Sequence, residues 1–180
     1  MFLFLVYLCF LFNLLFVIAS TGSAQPYTPT DYILINCGSS SNSTSVDGRK
    51  WDGDVGSKFS PNDMANISSA VTATDELDSS VSGVPFSSAR IIRSQFSYTF
   101  PVSLGKKFLR LYFYPTSYSG GLNTTESFFN VTANNYNLLS NFSAYLTVSS
   151  EGFSPPFVKK EYVINVQDMN QFLNVTFLPS

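Results

Sequence analysis

The sequence predicts an antiparallel all-β sandwich that follows an apolar leader. Three observations carry that expectation. Short runs alternate apolar and polar residues with a period of two, clusters of Gly, Pro and Ser separate the runs, and helical periodicity is hard to find after the leader. In SQFSYTF (94–100), Phe96, Tyr98 and Phe100 share one parity while Gln95, Ser97 and Thr99 share the other, as in a half-buried strand.

The leader is MFLFLVYLCFLFNLLFVI, followed by the small and polar ASTGSAQP. Gly22 and Ala24 stand at −3 and −1 to a cut before Gln25, the small-residue spacing of a signal peptidase site, so residues 1–24 read as a signal peptide. A start-anchor helix is the rival reading, since about 18 apolar residues just span a bilayer. Asn13 interrupts the run and no basic flank holds it, which favours cleavage. What remains, 25–180, is the size of one ordinary domain.

The first predicted strand is YILIN (32–36), with Cys37 beside it as a buried thiol. From 38 to 88 the pattern loosens into a loop-rich excursion with one or two short strands, anchored by Val46, Trp51, Phe59 and Met64. Alternation then returns in SQFSYTF, FLRLYFY (108–114), FFNVTA (128–133), AYLTVS (144–149), EYVINV (161–166) and FLNVTFL (172–178), all predicted strands. Turn signals between them include Ser-Leu-Gly-Lys at 103–106 and Ser-Gly-Gly at 119–121.

Composition excludes several functions. A net charge of −2 with 12% charged residues argues against a nucleic-acid partner. There is no histidine, which removes Ser-His and Cys-His nucleophile pairs and His-based zinc sites. Carboxylate pairs for glycoside hydrolysis exist at Asp52/Asp54 and Asp75/Glu76/Asp78, but both sit in turn-like sequence where Asp bonds the backbone. DGRKWDGD (47–54) lacks the ligand order of an EF-hand; an irregular carboxylate loop for Ca²⁺ is the lesser reading beside an Arg/Asp-rich turn pinned by a buried Trp51. No metal or cofactor is expected. Six sequons, at Asn42, Asn66, Asn123, Asn130, Asn141 and Asn174, fit an N-glycosylated product of the secretory route.

The aromatic-rich FLRLYFY is the candidate binding element. Strand parity places Leu109, Leu111 and Phe113 on a core face, and Phe108, Arg110, Tyr112 and Tyr114 on an amphipathic one. Two readings of that second face stay open: a platform on which a sugar ring stacks, or the ordinary outer face of a Tyr-rich sheet. Tyr112, Tyr114, Tyr118 and Arg110 are the candidate ligand-binding residues.

Four stretches in order, YTPTDYILINCGSS (27–40), GRKWDGDVGSKF (48–59), ARIIRSQFSYTFPVSLGKKFLRLYFYPTSY (89–118) and FSPPFVKKEYVINV (153–166), resemble the first malectin-like domain of FERONIA-type plant receptor-like kinases. The resemblance implies a galactose-binding, jelly-roll type β-sandwich. It implies a non-catalytic extracellular recognition domain, followed in full-length members by a tandem malectin-like domain, a single membrane-spanning helix and a Ser/Thr kinase. Implied partners are pectin-like cell-wall carbohydrate and small secreted peptides perceived with GPI-anchored co-receptors. The implied location is the apoplast as the chain stands, and the plasma membrane in a full-length receptor. No ligand residue of animal malectin is carried over. The sequence contains none of the kinase motifs, so 25–180 is expected to be a malectin-like domain incomplete at its C-terminus and of marginal stability alone. Two alternatives are a protein–protein interaction half-module that needs its tandem neighbour, and a carbohydrate-active hydrolase using Asp52 or Asp54.

Overall fold

The computed structural model describes residues 28–61, 66–152, 156–167 and 171–180. The chain divides into residues 1–30 and 31–180, and the fold is that of the second unit. The signal segment 1–24 and Met64 lie outside the described residues. Among the described residues no helix is long and apolar enough to cross a membrane.

Four strands form the larger sheet, in the order β6 (Phe96–Pro101), β11 (Phe172–Pro179), β8 (Phe129–Ala133), β9 (Tyr136–Phe142). All pairings in it are antiparallel. Facing it, β7 (Gly105–Phe113) pairs antiparallel with β10 (Val158–Val166) over nine residues each. The core lies between: Val131, Ala133, Leu173 and Val175 from the larger sheet meet Leu111, Ile164 and Val166 from the smaller. Each fully buried Val contributes about 2 kcal/mol of hydrophobic stabilisation. Period-two alternation creates this face, because one parity of β6, β8 and β11, and most of one parity of β7 and β10, is apolar.

The excursion before residue 88 is more structured than its composition implies. After β1 (Ile35–Asn36) it holds β2 (Ser43–Thr44), β3 (Lys50–Gly53) and β4 (Ser68–Thr72), three strands rather than one or two, and β4 pairs antiparallel with β5 (Ser88–Ile92). A kinked helical turn at Gly83–Phe86 precedes β5. Trp51 and Phe59 are buried, as anchors should be. Val46 is not: it is 94% exposed, because it tops the turn that joins β2 to β3.

Three other expectations are corrected. YILIN forms a strand only at Ile35–Asn36, paired parallel with β3. The strand β9 comes from YNLLSNF, which lacks clean alternation and pairs with β8 through register shifts. AYLTVS is helical, within α1 (Ala144–Glu151). Ser143 caps that helix by accepting from the Leu146 N–H at 3.3 Å, and Gly152 ends it in the left-handed region at φ 58°. A cap at each end outweighs six residues of weak alternation.

Candidate functional site

The outward residues of β7 and β10 face each other in cross-strand pairs. Tyr112 lies opposite Lys159, Arg110 opposite Glu161, Phe108 opposite Val163 and Lys106 opposite Asn165. Leu109, Leu111 and Phe113 pack into the core, so the parity read from FLRLYFY is the parity of the fold. Phe108 is 71% exposed and its partner Val163 55%, an apolar pair open to solvent in the middle of a charged face. Arg110 Nε donates to Glu161 Oε1 at 2.5 Å and Lys159 Nζ stands 3.2 Å from Oε2. The Arg110 bond, then that of Lys159, holds the Glu161 carboxyl below its ordinary value. One carboxylate thus sits among three outward cations, Lys106, Arg110 and Lys159.

Toward its C-terminal end this face runs into an aromatic wall. Tyr112 meets Trp51 edge-on at 5.7 Å and Phe86 at 6.0 Å, and Phe86 reaches Tyr114 at 5.9 Å and Phe157 at 4.7 Å. Trp51 is oriented by its Nε1–H bond to Ser45 Oγ (3.1 Å), and the Arg49 guanidinium lies 5.4 Å from its ring centre. Tyr114 Oη accepts from the Asp78 N–H at 3.3 Å. Tyr118 has left this wall. It is 9% exposed, packs with Val71 and Ile91, and donates its hydroxyl proton to the Tyr114 carbonyl at 2.9 Å. Of the four candidate residues, then, Arg110 stands in solvent, Tyr112 and Tyr114 are half-buried, and Tyr118 is core.

Sequence reasoning put Phe108 on the outer face but did not single it out. The signal was its shared parity with Arg110, and only the fold shows that it stays exposed.

The carboxylates do not form a catalytic pair. Asp54 is fully buried and accepts from Arg90 Nε (2.5 Å), Tyr98 Oη (2.6 Å) and the Gly38 N–H (2.7 Å), whereas Asp52 is exposed. Asp78 spends Oδ1 on the N–H and hydroxyl of Ser80. Asp47 is held below its ordinary value by Ser45 first, and also binds Arg49. Among the described residues no cluster of three metal-ligating side chains converges. Five sequon asparagines are exposed, and Asn130 is half-buried.

The Malectin domain family model matches residues 31–177. The chain belongs to the malectin domain family. Its resemblance to the FERONIA-type ectodomains also holds in detail. Over 169 residues it is 48% identical to the receptor-like protein kinase FERONIA of Arabidopsis thaliana, covering 92% of this chain and 18% of that protein. The crystal structure of the plant receptor-like kinase FER superposes with a TM-score of 0.73 at 47% identity, over 82% of this chain and 37% of that one. The structure of the plant peptide RALF23 in complex with FER and LLG2 gives 0.72 at 44%, over 86% and 36%. The malectin chain therefore spans less than a fifth of the curated relative and little more than a third of the solved ectodomain chains. The part of those receptor kinases that it matches is non-catalytic.

Proposed function

We propose that this malectin domain, residues 25–180 behind a signal peptide, is an extracellular recognition module of a receptor-like kinase type protein, and that it binds anionic, pectin-like cell-wall carbohydrate on the outer face of β7 and β10. One observation carries the reading: the exposed Phe108–Val163 pair set among Lys106, Arg110 and Lys159. A sugar ring stacks its C–H face on Phe108, while the guanidinium and ammonium groups meet uronate carboxylates. Tyr112 and Tyr114 border this subsite, and Tyr118 acts through Tyr114.

A second reading has its own support. The solved complex of FER with the plant peptide RALF23 and LLG2 favours a peptide ligand, which the family resemblance implies is secreted and perceived with a GPI-anchored co-receptor. A tandem malectin-like domain and a location at the plasma membrane belong to both readings for a full-length receptor.

Titration of the folded domain with oligogalacturonate and with a neutral glucan tests the first reading. Saturable binding of the acidic polymer alone, weakened roughly tenfold (1.4 kcal/mol) by Phe108→Ser or Arg110→Gln, is expected. Phe108→Ser changes stability by no more than about 0.5 kcal/mol, being a surface position. Folded protein that binds neither polymer, yet captures a secreted peptide with its co-receptor, rejects the carbohydrate reading in favour of the peptide.

A further inference from the structure

Not one strand of the four-stranded sheet carries a charged residue. Its outward positions are mostly hydroxyls and amides, Ser97, Thr99, Asn130, Thr132, Asn174 and Thr176, joined on β11 by the exposed apolar Phe172 and Leu178. The contrast with β7 and β10, which carry six charged side chains between them, is complete. Uncharged sheets invite association, above all at an edge strand, and proteins usually blunt such edges with Lys, Pro or a cover. Among the described residues β9 is an edge that pairs with β8; its register there is irregular, but YNLLSNF offers neither Lys nor Pro. Tyr136 in it is 47% exposed.

Three sequon asparagines lie on this sheet, and the fold treats them differently. Asn141, in β9 itself, and Asn174, in β11, are exposed, and among the described residues neither carboxamide makes a hydrogen bond. Asn141 adopts φ 45°, and its backbone N–H donates to Asn130 Oδ1 at 2.9 Å. Asn130 is half-buried with both ends of its carboxamide in use, since its Nδ2 donates to Ser180 Oγ at 2.9 Å.

We propose that Asn141 and Asn174 carry N-linked glycans that shield this face and block the β9 edge, and that Asn130 stays bare. The step is transfer of an oligosaccharyl group from a lipid pyrophosphate donor of the secretory pathway. The C1–O bond to pyrophosphate breaks, the C1–Nδ2 bond forms, Nδ2 gives up one proton and the lipid pyrophosphate leaves. The sugars supply the hydrophilic cover that charge supplies elsewhere, and they leave the β7/β10 face open. This rests on the extracellular placement proposed above, and not on the identity of the ligand.

The full chain, expressed through a eukaryotic secretory pathway, is digested and its glycopeptides mapped. Sugar on the Asn141 and Asn174 peptides with an unmodified Asn130 peptide is the expected result. Bare Asn141 and Asn174 in protein glycosylated at Asn42, Asn66 or Asn123 overturns the proposal, because export then took place without them. Sugar at no sequon removes the extracellular placement on which it stands. The pair of substitutions Asn141→Gln and Asn174→Gln, which keeps a carboxamide at each position, is expected to convert a monomer into self-associating protein by light scattering. A double variant as monomeric as its parent overturns the shielding role.

Discussion

Arg90 donates through Nε to Asp54 Oδ2 at 2.5 Å, with 4% and 0% of the two side chains open to solvent. This pair ties β5 to the segment following β3, and Tyr98 of β6 joins it through its hydroxyl. The Arg90 Nη1 donates to Ser68 Oγ on β4 at 3.0 Å, and the guanidinium lies 5.5 Å from the Phe96 ring centre. Burial opposes the guanidinium charge, but the Asp54 bond and charge more than offset it, raising the Arg90 pKa. Residues distant in sequence meet at one buried charge, so the network locks the loop-rich excursion onto the sandwich.

Removing one partner leaves the other charged and dry. Asp54→Ala is expected to lower unfolding stability by about 3–5 kcal/mol, and Tyr98→Phe by about 1.5–3 kcal/mol for a bond to a charged group. Urea titration followed by tyrosine and tryptophan fluorescence reads both. A loss under about 1 kcal/mol in Asp54→Ala would show that the excursion is held by its apolar anchors alone.

Gly38 delivers its N–H to the same carboxylate from a left-handed conformation, φ 81°. A Cβ there would lie 1.9 Å from the Ala89 carbonyl oxygen, which is backbone of β5 and has no means of rotating away. Gly38→Ala therefore combines about 1–2 kcal/mol of conformational strain with a clash that must move a strand. Loss of the cooperative melt is the expected outcome. Gly48, also left-handed at φ 80° but with open space at its Cβ, supplies the control: Gly48→Ala keeps the melt.

Asp31 is held down to about 2, chiefly by its bond to Lys107 and then by that to Ser103. A depressed carboxyl contributes stability that is complete above the unfolded-state value of 3.8 and is lost as pH falls through about 2. Its contribution, about 2 kcal/mol at most, should appear as a falling acid limb between those values. Asp31→Asn flattens that limb, and an unchanged acid limb in thermal melts would assign the loss to other carboxyls.

Cys37 packs against the Phe59–Phe96–Tyr98 cluster with its sulfur 3.5 Å from Tyr98 Oη. Burial, then the charge of Asp54, pushes its thiol up to about 11. Because the folded value is raised, the associated stability is present below the unfolded value of 9.0 and disappears as pH climbs through about 11. At pH 8 the native Cys37 peptide should alkylate roughly a hundred times more slowly than in urea, since only the thiolate reacts. Equal rates in the two states would place the thiol in solvent.

Much of this was legible along the chain. The alternation of SQFSYTF and FLNVTFL marked β6 and β11, and parity in FLRLYFY separated the core residues Leu109, Leu111 and Phe113 from the outer set. The α1 helix was missed because AYLTVS satisfies a short period-two pattern, although Ser143 and Gly152 at its ends were the better signal. β9 was missed because its shifted register erases alternation. Tyr118 looked like a companion of Tyr112 and Tyr114. It became core because an isolated bridge between Ala73 and Tyr118 carries it under the β4–β5 pair.

By itself the sequence determined the all-β class, the malectin family likeness and the inner and outer sides of the main strands. These follow from a two-residue period and local motifs, which need no distant partner. Only the tertiary structure decided which outer residues are covered. Tyr112 is walled in by Trp51 and Phe86, whereas Phe108, on the same side of the same strand, is left bare. The physical reason is that cover comes from segments remote in sequence, and no local pattern records where those segments will lie.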